Sequence, residues 1–111
     1  MYNMENSPSD YYTIMHNYQE AQLFFSALRL NIFSCLDTPT TATQIAKALE
    51  CDKRKTELLL LSLVSCGFIG RQGDFYINTP KTKDFLSQNS EVFLGDSLLF
   101  REKMTSLECI E

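Results

Sequence analysis

The sequence predicts a mainly α-helical fold, a winged helix-turn-helix with a small β-hairpin and extra helices at both ends. Three observations predict it. From Thr40 to Thr79 the residues read as helix, turn, second helix and hairpin, the element order of a winged helix. The second of those helices contains LLLLSLV, so Leu58, Leu59, Leu60, Leu61, Leu63 and Val64 point in nearly every direction around a 3.6-residue turn. A helix apolar most of the way round is packed on more than one side. The flanking segments, finally, carry aromatic and aliphatic residues in excess of what so small a core can cover.

Residues 1–8 are polar and read as a flexible N-terminus, with residues 9–111 as the folded domain. Ser9 or Asp10 caps a helix that runs to about Leu30. Ile14, Tyr18, Ala21, Phe25, Leu28 and Ile32 recur at helical spacing as one apolar stripe, which thickens from Leu23 onward. Leu30 to Leu36 turns into a short second helix that ends near Asp37, Thr38 and Pro39. Thr41 with Gln44 three residues on fits a capping box, and the helix it starts turns Ile45, Ala46 and Leu49 inward. Asp52 caps the leucine-rich helix, Lys53 to Cys66, and its carboxylate offsets Lys53, Arg54 and Lys55 at a positive helix end. Gly67 closes that helix in a left-handed conformation. Phe68 to Arg71 and Phe75 to Ile77 pair as strands about Gln72-Gly73-Asp74. Thr79-Pro80 starts another helix with Phe85 and Leu86 on its inner side, broken at Asn89 and Ser90. A last helix spans Val92 to Cys109, with Phe93, Leu94, Leu98, Leu99, Met104 and Leu107 as its apolar positions.

The composition narrows the function. A chain of 111 residues supports a single modest core, and its net charge of -4 gives no long-range attraction for nucleic acid or anionic lipid. No apolar run approaches the roughly 20 residues of a membrane span. The start, MYNMENSPSD, is not a signal peptide, so a cytoplasmic location is expected. The four cysteines, Cys35, Cys51, Cys66 and Cys109, include no C-x-x-C pair, and with His16 as the one histidine no zinc set is expected. Free thiols in a reducing compartment follow. None of the four glycines forms a G-x-G loop between strand and helix, and no nucleophile–base pair or carboxylate pair stands out, so neither cofactor binding nor catalysis is expected of this chain.

Tyr11, Tyr12, Phe24, Phe25, Phe93 and Phe100 are a heavy aromatic load for the edges of a small domain. Exposed apolar patches of this kind mark interfaces. The terminal helices are therefore expected to form a dimer interface between two copies, the alternative being that the first and last helices cover each other.

The segments FFSALRLNIFSCL (24–36), TTATQIAKALECD (40–52), LLLLSLVSCGFI (58–69), DFYINTPKTKDFL (74–86) and FLGDSLLF (93–100), taken in this order, resemble the N-terminal dimerisation domain of S-adenosylmethionine-dependent O-methyltransferases. The resembling segments are spread along residues 24–100. It implies a non-catalytic module that holds two subunits together as a homodimer, is followed by a catalytic domain absent from this chain, and belongs to a parent enzyme that uses S-adenosylmethionine. It also implies that the first helix interlocks with its twin and contributes to the partner's substrate pocket. The residues it singles out for interface or pocket are Tyr11, Met15, Tyr18, Phe24, Phe25, Leu28, Phe93 and Phe100.

The alternative is a winged-helix DNA-binding transcriptional regulator, with Lys53, Arg54, Lys55 and Arg71 as its DNA contacts. Leu58 and Leu61 occupy what would be the outward face of its reading helix, and the hairpin tip sets Arg71 beside Asp74, whereas a phosphate-gripping wing needs several cations. Nucleic acid is therefore not the expected partner.

Overall fold

The computed structural model describes residues 8–110, with side chains described as far as Thr105. Expectations for residues 1–7, and for the side chains of Leu107 and Cys109, lie outside the described residues. The elements in order are α1 (Pro8–Arg29), a 3-10 turn (Phe33–Cys35), β1 (Thr40–Thr41), α2 (Ala42–Leu49), α3 (Lys53–Ser65), β2 (Ile69–Gln72), β3 (Phe75–Asn78), α4 (Pro80–Leu86) and α5 (Gly95–Ile110). The fold is mainly helical, with helix, turn, helix and hairpin at its centre and a long helix at either end.

Most helix starts follow the local chemistry of the sequence. Thr41 and Gln44 form a complete capping box, the Thr41 side chain accepting from the Gln44 amide and the Gln44 side chain accepting from the Thr41 amide. Asp52 and Thr79 cap α3 and α4 by accepting from the amides of Lys55 and Thr82. Helix α1 is described from Pro8 onward, so Pro8, Ser9 and Asp10, expected to be the end of a flexible stretch and its cap, are already helical.

Three helices end alike. An amide two or three positions past each of α1, α2 and α3 reaches back to a carbonyl five residues earlier: Ile32 to Ala27 at 3.1 Å, Cys51 to Ala46 at 2.9 Å and Phe68 to Leu63 at 3.0 Å. The residue between takes a positive φ each time, Asn31 at 60°, Glu50 at 54° and Gly67 at 85°. Only the glycine announces this in sequence.

The sheet departs from expectation. It has three antiparallel strands in the order β1-β3-β2, not two. Thr40 and Thr41 pair with Tyr76 and Phe75, so the residues before α2 become an edge strand. Two residues carry no periodicity, and their pairing depends on where α2 begins. The last helix is also shorter than expected. It begins at Gly95, leaving Phe93 and Leu94 in the preceding linker, where the Leu94 amide donates to the Phe85 carbonyl at 2.7 Å.

The core gathers Ala27, Leu28, Ile32, Phe33, Leu36, Ala42, Ile45, Leu60, Leu63, Ile69, Tyr76 and Leu86, all at most 9% exposed. Leu59 and Val64 of α3 are partly buried against it, so that helix packs on more than one side. Leu58 and Leu61 do not share in this. They are 57% and 36% exposed, because none of the described residues lies over the outer face of α3. Phe85, expected inward, is 38% exposed, and Leu86 alone takes the inner position at the end of α4.

A polar clasp underlies the core. Asp37 accepts from Asn78 Nδ2 at 3.1 Å, Ser87 Oγ at 2.9 Å and Asn89 Nδ2 at 2.8 Å. Asn78 Nδ2 also donates to the Phe33 carbonyl at 2.7 Å. One carboxylate thus ties the turn after α1 to the end of β3 and to the segment after α4.

Candidate functional site

Helix α1 is about 33 Å long at 1.5 Å per residue, and only its second half meets the core. Leu23, Phe24, Phe25, Ala27 and Leu28 pack inward. Tyr11, Tyr12, Ile14, Met15 and Tyr18 in its first half are between 52% and 74% exposed. The radius of gyration, 16.1 Å, exceeds the roughly 13 Å of a compact domain of this size, as a projecting helix requires.

Helix α5 crosses the second half of α1. Leu98 and Leu99 turn toward the core, while Phe100 and Met104 are 63% and 42% exposed. Arg29 Nη1 donates to both carboxylate oxygens of Glu102, at 2.8 and 3.0 Å, and holds the two helices together. Beside this pair runs a groove of about 390 Å³ whose walls include Tyr18, Phe25, Leu98, Arg101 and Thr105. A second groove, of about 560 Å³, lies on another side, between Phe24, Phe68, Phe85 and Leu94.

The residues proposed from sequence for interface or pocket therefore separate. Tyr11, Met15, Tyr18 and Phe100 are on the surface, and Tyr18 and Phe25 meet at the α1–α5 groove. Leu28 is only 4% exposed and belongs to the chain's own core, so it leaves the set of surface candidates. Phe24 stacks within its own chain on Phe25, Phe33 and Phe68, with ring centroids 5.2, 6.4 and 5.2 Å away. Phe93 is not on α5; its ring folds over Gly95, where any Cβ would collide with it. Sequence periodicity cannot separate these cases, because a stripe facing the chain's own core and one facing a second chain have the same spacing. The two terminal helices do cover each other in part, as the alternative reading of their apolar load allowed, but no local pattern links Arg29 to Glu102.

The proposed DNA contacts are arranged poorly for a polyanion. Lys53, Arg54 and Lys55 are exposed at the start of α3. Lys53 and Arg71, however, share a small polar cleft with Glu57 and Asp74. Arg71 is turned back on the hairpin, its Nε donating to the Gly73 carbonyl at 2.8 Å and its guanidinium 5.5 Å from the Tyr76 ring centre. The outer face of the would-be reading helix is Leu58 and Leu61.

Among the described residues no chemistry-bearing cluster competes with these surfaces. Among the described residues no group of three or more histidine, cysteine or acidic side chains is placed to hold a metal, and no helix is long and apolar enough to cross a membrane. Cys35, Cys51 and Cys66 are free thiols. Burial, and then the neighbouring Glu20 carboxylate, push the Cys66 thiol up; burial does the same at Cys35. The residues present do not fit an adenosine cofactor: the sheet is antiparallel, Gly67 closes a helix, Gly70 lies within β2, Gly73 forms the hairpin turn and Gly95 sits under Phe93.

Comparison with known proteins adds the following. Residues 12–88 match the model of the O-methyltransferase dimerisation domain. The chain is 30% identical over 83 residues to the N,N-dimethyltransferase OxyT of Streptomyces rimosus, covering 74% of this chain and 24% of that protein. In structure it resembles an O-methyltransferase family protein from Burkholderia thailandensis with a TM-score of 0.83 at 20% identity, covering 93% of this chain and 31% of the other. It also resembles human N-acetylserotonin methyltransferase in complex with SAM, with a TM-score of 0.70 at 25% identity, covering 92% and 33% of the two chains. The chain thus spans about a quarter of the length of the first relative and about a third of the two solved chains.

Proposed function

The chain belongs to the O-methyltransferase dimerisation-domain family, and we propose that it is the non-catalytic module by which two subunits of a S-adenosylmethionine-dependent O-methyltransferase associate as a homodimer. The observation that carries this reading is the first half of α1, which presents five large apolar side chains from Tyr11 to Tyr18 and covers none of its own core with them. Water-exposed apolar area of that kind is stabilised on burial by about 25 cal/mol per Å², and a second copy can supply the cover. Cofactor binding and methyl transfer are assigned to the remaining length that the relatives possess, consistent with the relative that carries SAM. In the same reading Tyr11 and Met15, which reach beyond their own core, also line the partner's substrate pocket.

Sedimentation of the 111-residue chain tests the association. A dimer at micromolar concentration is expected, and a monomer at 100 µM overturns the reading. For the pocket, Tyr11→Ala in a full-length parent enzyme is expected to raise KM for the methyl acceptor several-fold with kcat little changed; an unchanged KM removes that role.

A further inference from the structure

We propose that the groove between α1 and α4 is a binding site for a flat aromatic small molecule that carries an anionic group, with its rings between Phe85 and the Phe24–Phe68 pair and its charge at Lys81. The site goes beyond the homodimer reading and does not depend on it.

Three aromatic residues far apart in the sequence line this one groove: Phe24 of α1, Phe68 after α3 and Phe85 of α4. Phe24 and Phe68 are already in contact, their ring centroids 5.2 Å apart. Phe85 joins no ring pair among the described residues and is 38% exposed. The groove is about 560 Å³, within the roughly 300–1,000 Å³ of small-molecule sites. Aromatic rings favour offset-stacked or edge-to-face neighbours, so a flat ring system is the guest these walls suit. Leu86 and Leu94 complete the apolar lining. The walls are also fixed in advance. The Thr79 hydroxyl donates to the Phe68 carbonyl at 3.3 Å and ties the start of α4 to the turn after α3. The Leu94 amide, through its bond to the Phe85 carbonyl, holds the following linker against the end of α4.

Charge selects an anion and orients it. Among the described residues that line the groove, Lys81 is the one charged side chain. It is exposed, and the ion pair found among the described residues joins Arg29 to Glu102, so no carboxylate claims Lys81. The hydroxyls of Thr79 and Thr82 are bonded to each other at 3.0 Å and leave little for a guest. Glu20 stands beside Cys66, at the α3 side of the groove. An anionic group is repelled there and attracted to the α4 side, where Lys81 stands, because like charges brought together are costly and opposite ones are favoured. The rings then lie between Phe85 and the other two aromatics, with the charge at the start of α4.

The test is fluorescence titration of the 111-residue chain with anilinonaphthalene sulfonate, and with phenylnaphthylamine, which has the same rings and no sulfonate. Circular dichroism checks folding. Saturable binding of one sulfonate probe per chain is expected. Lys81→Glu is expected to weaken that binding about tenfold and to change phenylnaphthylamine binding less than about twofold, since charge-assisted contacts are the strong ones. Phe85→Ser is expected to weaken both probes; if that variant unfolds, Lys81→Glu, a surface change, decides alone. The bound sulfonate probe is also expected to slow alkylation of Cys66 by iodoacetamide, read by peptide mass spectrometry, while Cys51, which lies outside the groove, reacts as before. Binding that does not saturate, that is indifferent to Lys81→Glu or to a folded Phe85→Ser, or that leaves Cys66 alkylation unchanged overturns the site. None of these results bears on the homodimer reading, which sedimentation decides.

Discussion

At the scale of single residues, Asp37 has the largest consequence. It accepts from Asn78, Ser87 and Asn89, and Asn78 and Ser87 are buried at 7% and 0% exposure. Removing the carboxylate leaves buried donors unsatisfied, and hydrogen bonds to a charged group contribute about 1.5–3 kcal/mol. Asp37→Ala is expected to lower unfolding stability by about 2–4 kcal/mol in urea titration. The sequence marks Asp37 only as the end of a helical stretch, since its partners lie 41 to 52 positions away. The helix ends make a smaller version of the same point. Gly67→Ala is expected to cost about 1 kcal/mol, because the left-handed conformation penalises a Cβ. Glu50→Gly is expected to stabilise by a few tenths of a kcal/mol at a position equally left-handed, strain relief outweighing lost chain restriction. Glycine was readable as a helix end; glutamate was not, because only the closing hydrogen bond from Cys51 forces it there. The raised Cys66 thiol gives a pH prediction. Alkylation at pH 8 is expected to be slower in the folded chain than after denaturation. Above the free-thiol value of 9.0 the unfolded chain loses this proton first, so Cys66 contributes a loss of stability as pH rises further.

Among the elements, α1 behaves as two helices joined end to end. Its second half is core: Phe25 faces Leu98 across the groove, and Phe25→Asp, which puts an unpaired charge among apolar groups, is expected to unfold the chain or dissociate the dimer. Its first half supports no part of its own subunit. Tyr12→Ala is therefore expected to change monomer stability by less than about 0.5 kcal/mol, the range of ordinary surface changes. The leucine-rich α3 divides in the same way, with Leu60 and Leu63 buried and Leu58 and Leu61 outward. A sequence of consecutive leucines says that such a helix is surrounded; it does not say by which molecule. Helix α5 shows where periodicity overreaches. Phe93 and Leu94 fit its apolar pattern, yet the Leu94–Phe85 hydrogen bond and the fold of Phe93 over Gly95 begin the helix later.

For the molecule as a whole, the surfaces left open are apolar and mixed in charge, as suits association with protein. Lys53, Arg54 and Lys55 form a short exposed cluster, but Glu57 and Asp74 stand in the cleft beside Lys53 and Arg71. Binding to duplex DNA draws its affinity from several uncompensated phosphate contacts. The chain is accordingly expected to leave duplex DNA unshifted in gel electrophoresis at physiological salt, and the Lys53/Arg54/Lys55→Ala triple variant to fold and dimerise like wild type. Sub-micromolar sequence-specific binding would restore the regulator reading.

The sequence by itself determined the order of the helices, the caps at Thr41, Asp52 and Thr79, the hairpin, and the family, because each is written in neighbours a few positions apart or in the order of such segments. Tertiary structure alone decided that Leu28 and Phe24 serve their own core, that Thr40 and Thr41 join the sheet, that Asp37 ties three segments, and that α5 lies across α1. Those outcomes depend on which distant surfaces meet, and an apolar or polar side chain carries the same local signature whichever partner it finds.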